Sequence, residues 1–463
     1  MKKFSSRDGK ILPEIFLCGE SEINFAVDSA KKSQSAWAEK SPTDRKKILL
    51  RLADLVEDNR EELALLDTLE TNRAFQNYYD DSIPKAIEAI RYFAESIDKI
   101  YDAAIPARGN ESGIITHMPL GVVAAIVPWN DPLVVSAWKF APALLMGNSL
   151  VIKPAEQSSL SILKVAELTK LAGIPDGVFN VTPGLGEVAG KCLALHPDVR
   201  GIFFTGSSET GKLIMQYSGQ SNMKRVYLEC GGKSSYIVTK NCNRIAESAR
   251  VLAQNMFYNQ GQICSAPSRV IIDRSKIDEF MEVLKVEAEK FVPGDPFDSE
   301  NKVGCVVSRE QYDKIQNYVN EAKSEGAEIF QPSTRKFLPD QACGVLPTIV
   351  SNVTNDSKIS REEVFGPVVV ILTVDSTAEA VKIANDSEYG LAGAVWSDNF
   401  DEVYSVTKNL QAGLIHVNSY GNDDDSSPFG GVKQSGIGKD KSIYAFEKYS
   451  DVKTIWIHHE ENL

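Results

Sequence analysis

Cys264 closes the segment Asn259-Gln260-Gly261-Gln262-Ile263-Cys264-Ser265. A cysteine behind a short polar stretch containing a glycine can present its sulfur to a ligand instead of burying it in packing. Two other residues can serve such a sulfur. Glu229 lies in Leu228-Glu229-Cys230-Gly231-Gly232-Lys233, and Asn130 lies in Val127-Pro128-Trp129-Asn130. A thiol, a carboxylate and a side-chain amide are the parts of an acyl-transfer site: nucleophile, base and oxyanion donor. Each also has a bland reading, as a core thiol, a structural ion pair and a turn residue. All three follow apolar runs that read as strands, and packing alone does not account for that coincidence.

A second group of segments suits a nucleotide. Gly184-Leu185-Gly186-Glu187-Val188-Ala189 fits the loose GxGxxA form behind a strand, and is either an ordinary turn or a close approach to a dinucleotide. Gly206-Ser207-Ser208-Glu209-Thr210-Gly211-Lys212 resembles a phosphate-cradling loop. Leu213 stands where a magnesium-holding Ser or Thr would be, which argues against an NTPase. The same segment, following Thr205, can still turn helix-start N–H groups toward a pyrophosphate. Lys153-Pro154-Ala155-Glu156 ends a strand and opens a helix. Glu156 there either complements the helix dipole or, with Lys153, grips ribose hydroxyls; in the second case it repels a 2′-phosphate and favours NAD over NADP. Glu362-Glu363-Val364-Phe365-Gly366-Pro367 sets a carboxylate and an aromatic ring beside a rigid turn.

These residues need a scaffold that brings distant loops together. From Gly121 onward, short apolar runs alternate with helical segments. Gly121–Val127, Ser149–Ile152, Val178–Val181 and Gly201–Phe204 read as strands buried on both faces, and Ser161–Ala172 as an intervening helix. That alternation predicts a parallel, doubly wound sheet with ligands at the carboxyl ends of its strands. A second α/β series follows Glu229, with strands at Ser235–Val238, Arg269–Ile272 and Val368–Leu372, and helices at Ala246–Tyr258 and Ile277–Phe291. The first hundred residues carry helical spacing, as in Ile48, Leu49, Leu52, Leu55 and Val56. Residues 107–113 read as an exposed turn between strands. The β-rich tail Val452–Ile457 would be an exposed edge, covered by a partner subunit or by the strands around 101–119.

A chain of 463 residues exceeds one ordinary core, so two or three domains are expected. The net charge of −13 argues against a nucleic-acid partner, which needs a basic face. No apolar run is long enough to span a membrane, and the N-terminus lacks the apolar stretch of a secretory signal. The seven cysteines show no metal-ligand spacing, so no metal is expected, and a reducing cytoplasm would keep Cys264 a thiol.

Taken together, the motifs resemble the aldehyde dehydrogenase superfamily. The likeness runs from about residue 20 to the C-terminus. It rests on Pro128-Trp129-Asn130, Lys153-Pro154-Ala155-Glu156, Phe204-Thr205-Gly206-Ser207, Glu229-Cys230-Gly231-Gly232-Lys233, Gly261-Gln262-Ile263-Cys264, Glu363-Val364-Phe365-Gly366-Pro367 and Pro428-Phe429-Gly430-Gly431. Within the superfamily, Phe257–Gln262 and the tail from Lys433 through Trp456 are similar to γ-glutamyl-γ-aminobutyraldehyde and related ω-aminoaldehyde dehydrogenases.

The resemblance implies an α/β fold in three parts. A Rossmann-like doubly wound NAD domain takes residues 1–100 and 120–230, a second α/β catalytic domain takes 231–434, and a small β oligomerisation flap takes 101–119 and 450–459. It implies a homodimer or homotetramer, with NAD as cofactor and NADP as the alternative. Cys264 is then the nucleophile, Glu229 the base and Asn130 the oxyanion donor. Trp129, Lys153, Glu156, Gly186, Thr205, Gly206, Ser207, Glu363 and Phe365 hold the cofactor. Asp131, where relatives usually place Phe, Trp138 and Asp423 belong to the substrate path. The charges of Asp131 and of the run Asp423-Asp424-Asp425 suggest a mouth attractive to a cationic aldehyde; for the triplet a solvated acidic loop is the preferred reading, and Asp131 is the stronger candidate. The N-terminus reads as short enough to lack a first strand pair. Three other readings stay open: a dehydrogenase for another small or aromatic aldehyde, a CoA-acylating dehydrogenase, which needs no base such as Glu229, and a non-catalytic protein on the same fold.

Overall fold

The computed structural model describes residues 1–460 apart from 335 and 337. Two parallel sheets dominate. The first has six strands in the order Gly436–Ile437, Arg225–Glu229, Gly201–Thr205, Val122–Ile126, Ser149–Lys153 and Phe179–Val181, and only Gly436–Ile437 runs antiparallel. The apolar runs are continuous because both faces are covered. Val123, Ala125, Leu150, Ile152 and Phe203 face one core, whereas Val122, Ala124, Val151 and Ile202 face the other. The chain order reverses between Val122–Ile126 and Gly201–Thr205. Sheets of this kind leave a crevice at such a reversal, outside the strand carboxyl ends.

The second sheet has seven strands: Glu328–Phe330, Thr348–Ser351, Val368–Val374, Arg269–Asp273, Ser235–Val238, Ala392–Trp396 and Leu414–Val417, with only the first antiparallel. It is sandwiched in the same way, with Tyr236, Val270 and Ile371 on one side and Ile237, Ile271 and Val370 on the other. A third, antiparallel sheet joins Ser450–His458, Glu111–Pro119 and Ala103–Ile105. The tail is thus paired along one edge, over nine residues from Ser450↔Pro119 to His458↔Glu111. Residues 106–110 form the turn, shorter than the expected 107–113, because Glu111–Gly113 already pair.

Two expectations are corrected. Lys3–Phe4 pairs with Ile11–Leu12, so a strand pair is present at the N-terminus. Asn130 and Glu229 do follow strands, but Cys264 follows the helix Ile245–Phe257 and a short 3-10 turn, Tyr258–Gly261. Cys264 precedes the strand Arg269–Asp273, just as Glu363 precedes Val368–Val374. The loops therefore meet between the carboxyl ends of the first sheet and the amino ends of the second. Among the described residues, no helix is long and apolar enough to cross a membrane.

Candidate active site

The Cys264 loop is built from three successive left-handed residues, Asn259 (φ 50°), Gln260 (φ 56°) and Gly261 (φ 65°). Non-glycine residues in this region cost about 1 kcal/mol or more each, so the neighbours must hold the turn. A Cβ on Gly261 would sit 2.2 Å from the Gly366 carbonyl oxygen, so the loop docks against the Phe365-Gly366 turn. The Gln262 side chain locks it further: Oε1 accepts from Val307 N–H at 3.0 Å, and Nε2 donates to the Asn259 carbonyl at 3.2 Å.

Asn130 enters this clamp directly. Its Nδ2 donates to the Gln262 carbonyl at 3.0 Å, and Asn259 Nδ2 donates back to the Asn130 carbonyl at 3.1 Å. The amide is buried two residues from the sulfur-bearing position. Gly232 closes the other side, since a Cβ there would lie 2.9 Å from the Cys264 carbonyl oxygen. The strand end that carries Glu229 is thereby pressed onto the Cys264 loop.

The electrostatics of the trio follow from this enclosure. Burial pushes the Cys264 thiol up, the carboxylates of Glu229 and Glu363 add to the shift, and the Ser265 and Cys264 N–H groups offset only part of it. Each of the two upward causes favours the thiol over the thiolate. Glu229 is raised to about 8, first by burial and then by Asp440, against the opposing fields of Lys139, Lys448 and Lys439. One of its oxygens, Oε1, is buried with no hydrogen-bond partner among the described residues. Such a group is an uncompensated acceptor facing whatever enters the site.

Lys139, Asp440 and Lys448 form a buried cluster that the sequence reading missed. Lys139 and Lys448 each ion-pair with a different oxygen of Asp440. Their ammonium groups hold Asp440 below the usual carboxylate range despite its burial. One signal was available. Lys139 is the sole charged side chain in the apolar helix Pro132–Leu145, and a buried ammonium there requires a carboxylate.

The residues expected to hold a dinucleotide line the carboxyl ends of the first sheet. Lys153 ends its strand, and its buried ammonium donates to the Pro154 carbonyl at 3.0 Å and to Glu156 at 3.4 Å. Burial lowers its pKa. Gly186 opens the helical turn Gly186–Gly190, and a Cβ there would meet nothing within 4 Å, so its backbone faces open space. Ser207 caps the helix Ser208–Gln220 by accepting from Thr210 N–H at 3.2 Å. Gly206 N–H is spent on the Glu229 carbonyl at 3.0 Å, which ties this turn to the catalytic strand end. Thr205 Oγ1, at the strand terminus, is buried without a partner among the described residues. Glu363 accepts from Gly232 N–H at 3.0 Å and is raised by burial to about 7. Phe365 stands edge-on to Trp129 with ring centroids 5.4 Å apart. An open glycine backbone, a helix start, an unpartnered hydroxyl and a Lys/Glu pair fit a dinucleotide laid across the crevice.

The free-charge reading of Asp131 and Asp423 is corrected. The Asp131 carboxylate lies 3.3 Å from the buried guanidinium of Arg73 and accepts from Ser82 at 3.3 Å. Arg73 is itself packed between the rings of Tyr78 and Tyr258. Asp423 pairs with Lys441 at 2.7 Å. Each carboxylate thus already faces a cation of the fold, although Arg73 is shared with Asp81. Trp138 belongs to the second pair's surroundings, with Lys441 Nζ 5.6 Å from its ring and Phe429 5.5 Å away. A separate groove carries Asp80, Asp81, Lys85 and Glu247 and reaches Tyr258 and Tyr420. The Tyr420 hydroxyl donates to the Ser265 carbonyl at 2.5 Å, so this groove ends beside Cys264.

The sequence model of the "Aldehyde dehydrogenase family" matches residues 1–455. The chain belongs to the aldehyde dehydrogenase family. Like its relatives, this aldehyde dehydrogenase is an oxidoreductase acting on aldehydes. It is 43% identical over 438 residues to the NADP/NAD-dependent aldehyde dehydrogenase PuuC of Escherichia coli, covering 94% of this chain and 88% of that protein. The crystal structure of γ-glutamyl-γ-aminobutyraldehyde dehydrogenase from Burkholderia cenocepacia superposes with a TM-score of 0.96 at 43% identity, covering 99% of this chain and 93% of that one. The NAD+ complex of an aldehyde dehydrogenase from Bacillus cereus superposes with a TM-score of 0.96 at 38% identity, with the same coverage. The three-part α/β architecture is thus that of the family. Among the described residues, no group of three His, Cys, Asp or Glu is placed to hold a metal.

Proposed function

We propose that this aldehyde dehydrogenase oxidises an ω-aminoaldehyde such as γ-glutamyl-γ-aminobutyraldehyde to the acid, through a Cys264 thioester hydrolysed with Glu229 as base. The observation that carries the reading is the mutual placement of three groups: the half-buried Cys264 thiol, its loop packed against the Gly232 turn that follows Glu229, and the Asn130 amide bonded to the carbonyl two residues before the cysteine. The Cys264 thiol gives up its proton to water in the site, and the sulfur adds to the aldehyde carbon, leaving Glu229 free for the second step. The Asn130 amide and the Cys264 N–H face the oxyanion. Lys153, Glu156, Gly186, Thr205, Gly206 and Ser207 hold the adenosine and pyrophosphate parts of NAD, and Trp129, Glu363 and Phe365 the nicotinamide end. When bound, the nicotinamide supplies the hydride acceptor. Glu229 then activates water against the thioester, and the acid leaves. A base poised over the thioester favours water over CoA as the acceptor.

The substrate reading is supported by the Burkholderia relative. Glu156 favours NAD; NADP use is compatible with the E. coli relative. The test is a panel of aldehydes read by both NADH and NADPH absorbance. The kcat/KM of an aminoaldehyde is expected to exceed that of its neutral isostere by about tenfold, the effect of about 1.4 kcal/mol of charge selection. Equal values would remove the aminoaldehyde from the account.

A homodimer or homotetramer is proposed from the outer edge of Ser450–His458, where Val452, Ile455, Trp456 and Ile457 are exposed together. Light scattering is expected to give a multiple of the 50.9 kDa chain mass. Trp456→Asp is expected to lower that mass, and a monomeric native chain would contradict the proposal. A reducing, cytoplasmic setting suits seven cysteines that are all free thiols here.

A further inference from the structure

Lys3 lies on the N-terminal strand, far in sequence from every residue of the site, yet its side chain is almost wholly enclosed. Its ammonium ion-pairs with Glu70, whose side chain is equally buried, and its second partner is the Gln157 carbonyl at 3.5 Å. The other oxygen of Glu70 accepts from Leu160 N–H at 2.8 Å, the first residue of the helix Leu160–Ala172. Lys3 and Glu70 together therefore hold both ends of the segment 157–160.

That segment adjoins the Lys153–Glu156 pair. Gln157 Nε2 donates to Glu156 Oε1 at 3.2 Å, while Lys153 reaches Oε2 at 3.4 Å. Glu156 is thus held from two directions, and one of them leads back to Lys3. The N-terminal segment is itself well anchored. Ser5 N–H donates to the Lys10 carbonyl at 2.8 Å, Ser6 Oγ donates to the Val306 carbonyl at 2.5 Å, and Cys343 N–H donates to the Ser6 carbonyl at 2.8 Å. Asn72 Nδ2 donates to Ser6 Oγ at 2.8 Å. Lys3 is held in place because its strand pairs with Ile11–Leu12 and the next residues, Ser5 and Ser6, are bonded to Lys10, Asn72, Val306 and Cys343.

We propose that Lys3 is a positioning residue for cofactor binding: its ammonium holds the 157–160 segment so that Glu156 and Lys153 are preset for the adenosine ribose. The inference rests on the ribose reading of Lys153 and Glu156 given above. Without the ammonium, Glu70 is an unpaired buried carboxylate, which takes up a proton or draws in water. Either response loosens its hold on Leu160 and leaves the Gln157 carbonyl without a cation. A binding site that must order itself on ligation loses affinity, whereas chemistry at saturating ligand is untouched.

The test is the dissociation constant for NAD+ measured by calorimetry on the intact protein. Lys3→Met is expected to raise it about tenfold and to leave kcat at saturating NAD+ within about twofold. The rate of Cys264 alkylation by iodoacetamide without cofactor is expected to stay unchanged, which a general loosening of the fold would not allow. If Lys3→Met fails to fold, the paired variant Lys3→Met/Glu70→Gln removes both charges, keeps an acceptor for Leu160 N–H, and is expected to show the same weakening. A folded variant with wild-type affinity, or one in which alkylation changes in step with affinity, would overturn the proposal. Glu156→Ala serves as control. If it weakens binding and Lys3→Met does not, only the role of Lys3 fails; if it leaves affinity unchanged, the ribose reading fails and the role of Lys3 with it.

Discussion

Cys264→Ala is expected to reduce NADH formation from any aldehyde by about 10⁴-fold or more, as removal of a covalent nucleophile does elsewhere. The effect should fall on chemistry alone. The loop that carries Cys264 is fixed by backbone and side-chain bonds of Asn130, Asn259, Gln262 and Val307, none of which uses the sulfur. Affinity for NAD+ is therefore expected to survive. The other six cysteines lack a comparable setting. Cys230, for example, is packed in the apolar cluster with Ile214 and Leu228. Their replacement one at a time should leave turnover near wild type. Parallel loss of activity in Cys230→Ala or Cys242→Ala, with Cys264→Ala still active, would reassign the nucleophile.

Glu229→Gln is expected to separate the two halves of the reaction. The amide keeps the size of the side chain but cannot act as base for water. Up to one NADH per site should form in a burst, followed by steady-state turnover slowed by about 10²–10⁴-fold, the usual worth of a general base. The pH dependence carries the same signature. The base is active without its proton, and burial and Asp440 raise it to about 8. Hydrolysis in the native enzyme should therefore rise as pH increases through about 8 and level off above it. In Glu229→Gln that limb should vanish. The Cys264 thiol is raised as well, so the first step is expected to quicken with rising pH in the native enzyme and in Glu229→Gln alike. Wild-type turnover in Glu229→Gln would show that some other group activates water.

What the sequence reveals and what it hides have a common physical cause. Strands buried on both faces write themselves as unbroken apolar runs, so Val122–Ile126, Ser149–Lys153 and Arg269–Asp273 are legible without structure. Residues that end such strands, including Asn130, Lys153, Thr205 and Glu229, are legible for the same reason. The helix before Cys264 is legible too, since Ala249, Leu252, Ala253 and Met256 recur at helical spacing and are buried as a helix face; the polar turn Asn259–Gln262 carries no pattern that shows which element it leaves. The partners of buried charges were not legible at all. Asp440 lies 301 residues from Lys139, and no local pattern links them. Asp131 reads as a free carboxylate until Arg73, 58 positions earlier in the chain, is seen at 3.3 Å. Burial of a charge is a property of the assembled fold, and its compensating partner is set by topology, not by neighbouring sequence.

The most direct test of the account is the intact mass of Glu229→Gln mixed with one aldehyde and NAD+, followed by mapping of the modified peptide. An added mass equal to the acyl group, located on Cys264 and appearing in step with the burst, is the predicted result. An unmodified chain after the burst, or an acyl group carried by another residue, would contradict a covalent mechanism through this thiol.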